Sequence, residues 1–114
     1  MAGKYAFILD QGATWDTQMT WQIGGTPVDL TGYTARMQAR STVDATTTVF
    51  SWTSSGGQLV LGGAAGTITL NIADSVTSTY TDGTFVYDLE LESSGGATTR
   101  LLEGTFTIVP EVTR

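Results

Sequence analysis

The amino-acid sequence predicts an all-β protein, built as one antiparallel sandwich of seven to eight short strands. Apolar and polar residues alternate with a period of two along most of the chain, as they do in half-buried strands. Glycine-rich turns separate these segments at the spacing typical of a β-sandwich, and no segment sustains a helical period of 3.6 residues. The 22 threonines suit this fold class, because β-branched side chains favour pleated surfaces.

The first half of the chain contains three strongly alternating segments. Their inward residues are predicted to be Tyr5, Phe7 and Leu9; Trp15, Thr17, Met19, Trp21 and Ile23; and Tyr33, Ala35, Met37 and Ala39. Gly24-Gly25 and Thr31-Gly32 supply turns, because glycine adopts positive φ at little steric cost. Residues 27–30 form a short extended piece between these turns, and residues 41–46 are a polar loop.

The second half continues the alternation with one interruption. Its inward residues are predicted to be Phe50 and Trp52 within residues 47–53; Leu59 and Leu61; Ile68, Leu70 and Ile72; Phe85, Tyr87, Leu89 and Leu91; and Leu102, Phe106 and Ile108 within residues 98–109. Residues 73–80 break the period, and Asp74 is a candidate N-cap for a single helical turn that crosses between sheets. The glycine pairs are interpreted as turn residues, and Pro110 ends the last strand.

The composition excludes most catalytic chemistry. The 114 residues include neither Cys nor His, which removes disulfides, thiolate zinc sites, a cysteine nucleophile and the usual general base. The length suits one domain, residues 1–114, that can hold a core without metal or disulfide staples. We therefore expect no enzymatic activity, no cofactor and no metal site.

The net charge of −6 comes from eleven acidic and five scattered basic residues. Without a basic stripe the chain is not expected to bind nucleic acid, and its acidity argues against binding to anionic membranes. No apolar run approaches the ~18 residues of a membrane helix, and the N-terminal residues lack a signal-peptide layout. The sequence therefore predicts a protein that stays in the cytoplasm where it is made.

Three acidic residues form the strongest candidate for chemistry. Asp88, Glu90 and Glu92 alternate on an outward strand face, where they can bind Ca²⁺ or act as a carboxylate pair. The alternative is a solvated strand face whose carboxylates pair with a cross-strand neighbour such as Arg100. The structural interpretation is favoured, because no Ca²⁺-loop motif accompanies the ladder.

The aromatic residues allow a sugar-binding platform or a packed core. Trp15 and Trp21 share one predicted inward face, and Trp52 shares another with Phe50. Core packing is the favoured interpretation, because a platform needs aromatic rings on a polar face. Tyr80, in a turn region, is expected to cover the end of the sandwich.

Four phrases occur along the chain in an informative order and spacing. The most specific is Asp29-Leu30-Thr31-Gly32, within Val28–Gln38. The others are residues 5–15 with Gln11-Gly12-Ala13-Thr14; residues 83–91, which include Gly83, Phe85 and Tyr87; and residues 100–106, which include Gly104. Together they resemble small phage tail proteins and the N-terminal immunoglobulin-like domain of phage baseplate upper proteins.

Residues 82–87 also resemble the entry to strand F of immunoglobulin domains. Phe85 stands at the position of the corner tyrosine, and Tyr87 at the position of the cysteine. Because phenylalanine has no hydroxyl, this likeness predicts a similar strand entry without the hydrogen bond of a tyrosine corner.

The resemblance implies an immunoglobulin-like sandwich that serves as a structural virion component of a bacteriophage tail or baseplate. It implies several copies in a symmetric assembly, partners among the other tail proteins, and location in the virion after synthesis in the host cytoplasm. Since the chain ends at Arg114 without a fibre-attachment region, we expect a small adaptor or hub-decorating subunit.

Strand edges and the chain ends, residues 1–4 and 109–114, are expected to contact neighbouring subunits. The alternatives are a carbohydrate-binding or host-surface-binding module and a capsid decoration protein.

Overall fold

The computed structural model describes residues 3–112, and short β-strands dominate it. The strands are β1 (Gly3–Lys4), β2 (Phe7–Asp10), β3 (Trp15–Thr20), β4 (Gln22–Ile23), β5 (Thr26–Pro27), β6 (Thr34–Arg40), β7 (Phe50–Thr53), β8 (Leu59–Leu61), β9 (Thr67–Ile72), β10 (Gly83–Glu92) and β11 (Thr98–Val109). A 3₁₀ turn at Gly63–Ala65 and one helical turn, α1 (Asp74–Thr77), interrupt them. The predicted all-β class is confirmed.

In the part of the chain that is described, no helix combines the length and the apolar character needed to cross a membrane.

Two sheets and a small hairpin organise these strands. The larger sheet has the order β1-β11-β10-β6-β7, and β2 pairs with the same edge of β11 as β1 does. The smaller sheet has the order β3-β9-β8, and β4 and β5 form the separate hairpin. β1 and β2 run parallel to β11, whereas the other pairings are antiparallel. The predicted antiparallel arrangement is therefore wrong for the N-terminal segment.

Side chains from both sheets meet in one hydrophobic core. The ring of Phe106 on β11 lies at its centre, within 6.0 Å of five other aromatic rings: Phe7, Trp15, Phe50, Trp52 and Tyr87. Because Trp15 belongs to β3 and the other four belong to the larger sheet, these contacts join the two sheets. Buried aliphatic residues surround the cluster, namely Leu9, Met37, Leu89, Leu91 and Ile108 from the larger sheet and Leu59, Ile68, Leu70 and Ile72 from the smaller.

The helical turn α1 crosses from β9 in the smaller sheet to β10 in the larger, as the sequence predicts. Its N-cap is Ala73, whose φ and ψ are extended, so the expectation of Asp74 as N-cap is wrong. Asp74 is the first helical residue. The buried hydroxyl of Thr77 donates to the carbonyl of Ala13 at 2.8 Å and accepts from the N–H of Gly12 at 3.1 Å. These bonds tie the crossover to the β2–β3 loop.

The predicted second strand divides at Trp21. The N–H of Trp21 donates to the carbonyl of Gly66 at 2.8 Å, and the carbonyl of Trp21 accepts from the N–H of Val28 at 2.9 Å. The chain therefore leaves β9 after Trp21 and enters the β4–β5 hairpin. Ile23, predicted to face inward, is therefore exposed. Tyr5, also predicted to face inward, is exposed because it lies in the break between β1 and β2.

The bounds of β7 and β11 can also be compared with the sequence prediction. β7 begins at Phe50 rather than at residue 47, whereas β11 has its predicted bounds. β11 contains a bulge, since Leu89 pairs with Leu102 and Glu90 pairs with Arg100, which leaves Leu101 without a partner on β10. Leu102, predicted to face inward, is half-buried together with Leu101.

The chain ends are also partly engaged. Gly3, Lys4 and Val109 pair within the larger sheet, so they are not the free ends that the sequence predicts. Residues 1, 2, 113 and 114 lie outside the described residues, and the expectation that they reach a neighbour stays a prediction.

We predict that Phe106→Ala destabilises the protein by about 3–5 kcal/mol, because it removes the ring that joins the two sheets. Val60→Ala is the control, since Val60 is 53% exposed, and it changes the free energy of unfolding by no more than about 0.5 kcal/mol. Urea denaturation measures both variants. Equal effects of the two substitutions would contradict the central role of Phe106.

Candidate functional site

The phrase Asp29-Leu30-Thr31-Gly32 forms a tight turn that leads into β6. The carboxylate of Asp29 accepts hydrogen bonds from the hydroxyl of Thr31 at 2.6 Å and from its N–H at 3.0 Å, which holds the pKa of Asp29 below its usual value. The N–H of Tyr33 donates to the carbonyl of Leu30 at 3.0 Å, and Gly32 has the positive φ of +82° that this type of turn requires. Leu30 is buried. The phrase is thus a turn anchored in the core.

Tyr87 and Gly104 lie directly opposite each other on β10 and β11. The hydroxyl of Tyr87 donates to the main-chain carbonyl of Tyr5 at 2.7 Å. A Cβ at position 104 would press against the same carbonyl oxygen, closer than Cβ atoms approach backbone, and Gly104 has a φ of +154°. The missing side chain therefore lets the N-terminal segment cross β11 where Tyr87 can hold it.

Tyr87 supplies the hydroxyl that Phe85 lacks. Burial raises the pKa of the Tyr87 phenol above its usual value, and the nearby Tyr5 adds to the shift. Phe85 is half-buried and packs against the core, while Gly83 opens β10 with a φ of +141°. Of these predicted signature residues, Tyr87 and Gly104 are the two that contact the N-terminal segment.

The ladder of Asp88, Glu90 and Glu92 lies on the outer face of the larger sheet, where arginine side chains pair with it. Arg36 lies 2.8 Å from Glu90 and 3.8 Å from Glu92, and Arg100 lies 3.6 Å from Asp88. Burial raises the pKa of Asp88, and the neighbouring Glu90 adds to the shift. The predicted cross-strand pairing with Arg100 is confirmed.

Charge is distributed unequally between the two outer faces. All four basic residues within residues 3–112 lie on the outer face of the larger sheet: Lys4, Arg36, Arg40 and Arg100. The outer face of the smaller sheet presents seven side chains: Asp16, Gln18, Thr20, Val60, Thr67, Thr69 and Asn71. Asp16 is the one charged residue among these seven. The smaller sheet therefore offers a nearly uncharged face on an acidic protein.

The tryptophans pack within or against the core. Trp52 is buried and donates its indole N–H to the hydroxyl of Tyr80 at 2.8 Å. Trp15 and Trp21 are half-buried, and Trp15 donates its indole N–H to the carbonyl of Ile8 at 2.9 Å. The ring of Tyr80 lies over Trp52, as predicted for the end of the sandwich. Burial there raises the pKa of the Tyr80 phenol. Trp52 is thus a core residue, and Trp15 and Trp21 pack against the core with part of each ring exposed.

β3 is the longest strand with an unpaired side within residues 3–112, because it pairs with β9 alone. The N–H of Trp21 continues the β3–β9 ladder to Gly66. In an antiparallel strand, the backbone N–H and C=O groups of successive residues point to opposite sides of the strand. The backbone groups of the odd-numbered residues of β3 therefore point toward β9. The N–H and C=O groups of Asp16, Gln18 and Thr20 face away from it. We call these groups the β3 edge.

A groove of about 400 Å³ runs beside the β3 edge, between the two sheets. Its apolar lining comes from Tyr5, Met19, Trp21, Leu101 and Leu102, each at least partly exposed. We call it the seam groove. A strand added to the β3 edge would cover this lining, so pairing backbone groups and apolar surface lie side by side.

Sequence reasoning did not find the β3 edge or the seam groove. Alternation identified which residues of β3 face inward, yet it carries no information on which strand lies next to β3. One signal was present: β3 contains no Lys, Pro or bulge, the features that commonly protect edge strands from pairing.

Comparison with known proteins identifies no family for this chain. No family model and no curated protein matches it. The extracellular domain of the voltage-gated sodium channel β4 subunit, described in parallel homodimers that explain a role in cell–cell adhesion, has a TM-score of 0.43 at 7% identity over 98% of this chain and 96% of that chain. Extracellular domains 3–5 of Drosophila OTK give a TM-score of 0.37 at 15% identity over 93% of this chain and 33% of that chain. Likenesses at these scores decide neither fold family nor function.

We predict that Gly104→Ala destabilises the protein by at least about 2 kcal/mol, because a side chain there meets the carbonyl of Tyr5 and a φ reserved for glycine. Gly95→Ala is the matched control, since a Cβ at position 95 would have Ser93 Oγ as its nearest neighbour at 3.9 Å. Thermal and urea unfolding compare the two variants. If they are equally stable, the close approach at Gly104 does not constrain the chain.

Tyr87→Phe is expected to destabilise the protein by about 1 kcal/mol at neutral pH, through loss of the hydrogen bond to Tyr5. Because the pKa of Tyr87 in the folded state lies above the usual value of 10.0, its contribution to stability is fully present below that pH and is lost as the pH rises further. Unfolding free energies measured from about pH 8 to about pH 12 should therefore fall less steeply in the variant. Tyr33→Phe controls for loss of one phenol, and an unchanged slope in Tyr87→Phe would contradict the prediction.

Proposed function

We propose that this chain is an immunoglobulin-like sandwich and a structural component of a bacteriophage tail or baseplate. In this role it is a small adaptor or hub-decorating subunit that binds neighbouring subunits, whether other tail proteins or further copies of itself, through strand pairing and catalyses no reaction. The phrases around Asp29–Gly32, Gly83–Tyr87 and Gly104, which resemble phage baseplate domains, support this proposal as structural signature residues.

The strand order supports the immunoglobulin-like part of the proposal. One sheet of three strands in the order β3-β9-β8 faces a sheet in which β11, β10, β6 and β7 are neighbours. An immunoglobulin variable-type sandwich divides its strands between two sheets in a similar way. The hydroxyl of Tyr87 on β10, the next-to-last strand, also donates a hydrogen bond to a main-chain carbonyl, that of Tyr5. A tyrosine corner uses a tyrosine hydroxyl in a similar way.

The β3 edge with the seam groove is the observation that carries the assembly role. Extended segments add to exposed sheet edges through main-chain hydrogen bonds, and neighbouring pockets provide specificity. The carboxylates on the outer face of the larger sheet form ion pairs with Arg36 and Arg100. This pairing favours the interpretation of a solvated charged face over that of a catalytic carboxylate pair. Pairing at an edge needs no catalytic group.

Purified virions test the proposal. We expect mass spectrometry of separated tail and head fractions to find this chain in the tail fraction, at a constant ratio to the major tail protein. The head fraction is the internal control. Recovery in the head fraction alone would support the capsid decoration alternative, and absence from both fractions would overturn a virion role.

A further inference from the structure

We propose that the β3 edge pairs with the β3 edge of a second copy of this chain, in antiparallel orientation about a two-fold axis. The inference rests on the proposed assembly role and names the partner at that site. The two smaller sheets would then continue as one sheet of six strands across the dimer.

The free side of β3 can pair with itself in several antiparallel registers, and one of them pairs all three residues whose backbone groups face away from β9. The residues with outward backbone groups are Asp16, Gln18 and Thr20, so a two-fold axis at Gln18 pairs Asp16 with Thr20 twice and Gln18 with itself. Each pair exchanges two backbone hydrogen bonds, and the three pairs supply about six. A two-fold interface requires this reciprocity, in which each residue contacts the counterpart of its own partner.

Charge favours a second copy at this face. Two chains of net charge −6 repel each other, so contact beside a face of little charge costs less electrostatic free energy than contact through the acidic surface. The outer face of the smaller sheet satisfies this condition, because Asp16 is its one charged residue. The register about Gln18 places each Asp16 opposite an uncharged Thr20, which avoids a contact between like charges.

The seam groove provides apolar surface for the same contact. Thr17 and Met19 face the interior side of β3, so in the dimer these residues of the second copy lie over the groove lined by Tyr5 and Leu102. Trp21, half-buried beside the groove, is covered as well. Main-chain hydrogen bonds and apolar burial therefore act at one surface.

Sedimentation equilibrium of the purified full chain tests the proposal. We expect a concentration-dependent dimer with a dissociation constant below about 1 mM. Thr20→Asp places a new carboxylate opposite Asp16 in two pairs, and we expect it to weaken the dimer about tenfold. Val60→Asp is the matched control, because it adds the same charge to the far strand of the same sheet and should leave association within about twofold of the unmodified chain.

The double variant Asp16→Lys with Thr20→Asp provides the register test. It places an ammonium opposite a carboxylate in both pairs, and we expect association at least as tight as that of the unmodified chain. Circular dichroism and thermal unfolding confirm that each variant is folded. A monomer at all concentrations, a dimer indifferent to Thr20→Asp, or a double variant without rescue would each overturn the proposal. Because these measurements use the purified chain, their failure is distinct from absence of the chain from virions.

Discussion

The parallel pairing of the N-terminal segment with β11 is the contact on which the rest of the structure depends. Because β1 and β2 occupy the free edge of β11, they complete the larger sheet and are not available to the smaller one. β3 is left with one partner, and the seam groove opens between it and Tyr5. The bare backbone at Gly104 and the hydroxyl of Tyr87 hold the segment in this place. The pairing of the N-terminal segment with β11 thus accounts both for the completed larger sheet and for the unpaired side of β3.

The alternation of apolar residues predicted the buried face of most strands, including the central strands β9 and β10. Leu89 on β10 and Ile68 on β9 are buried as predicted, and Gly32 lies in the turn that the glycine predicted. The pattern failed at Tyr5, which lies in the break between β1 and β2, and at Ile23, whose segment leaves the β3–β9 ladder at Trp21 for the β4–β5 hairpin. Such departures depend on distant carbonyl groups, and the local sequence does not record where those lie.

The candidate site was less predictable than the fold, because it is defined by which strands are neighbours. The net charge of −6 conceals two different faces. One carries all four described basic residues, three of which form ion pairs with acids such as Glu90 and Glu103, and the other carries a single carboxylate. A period of two shows that Asp16 and Arg36 both point outward. It does not show that they lie on opposite sides of the molecule, and that separation is what makes the smaller sheet suited to assembly.

The bond between Tyr87 and Tyr5 spans 82 positions of the chain, and the ion pair of Lys4 with Glu103 spans 99. Contacts this distant in sequence slow folding, because a long loop closes before they contribute to stability. During synthesis, the apolar side chains on the inward face of β2 therefore lack their partner strand until β11 has left the ribosome. The larger sheet is therefore completed only after β11 has been made, and this domain reaches its folded form late in its own synthesis.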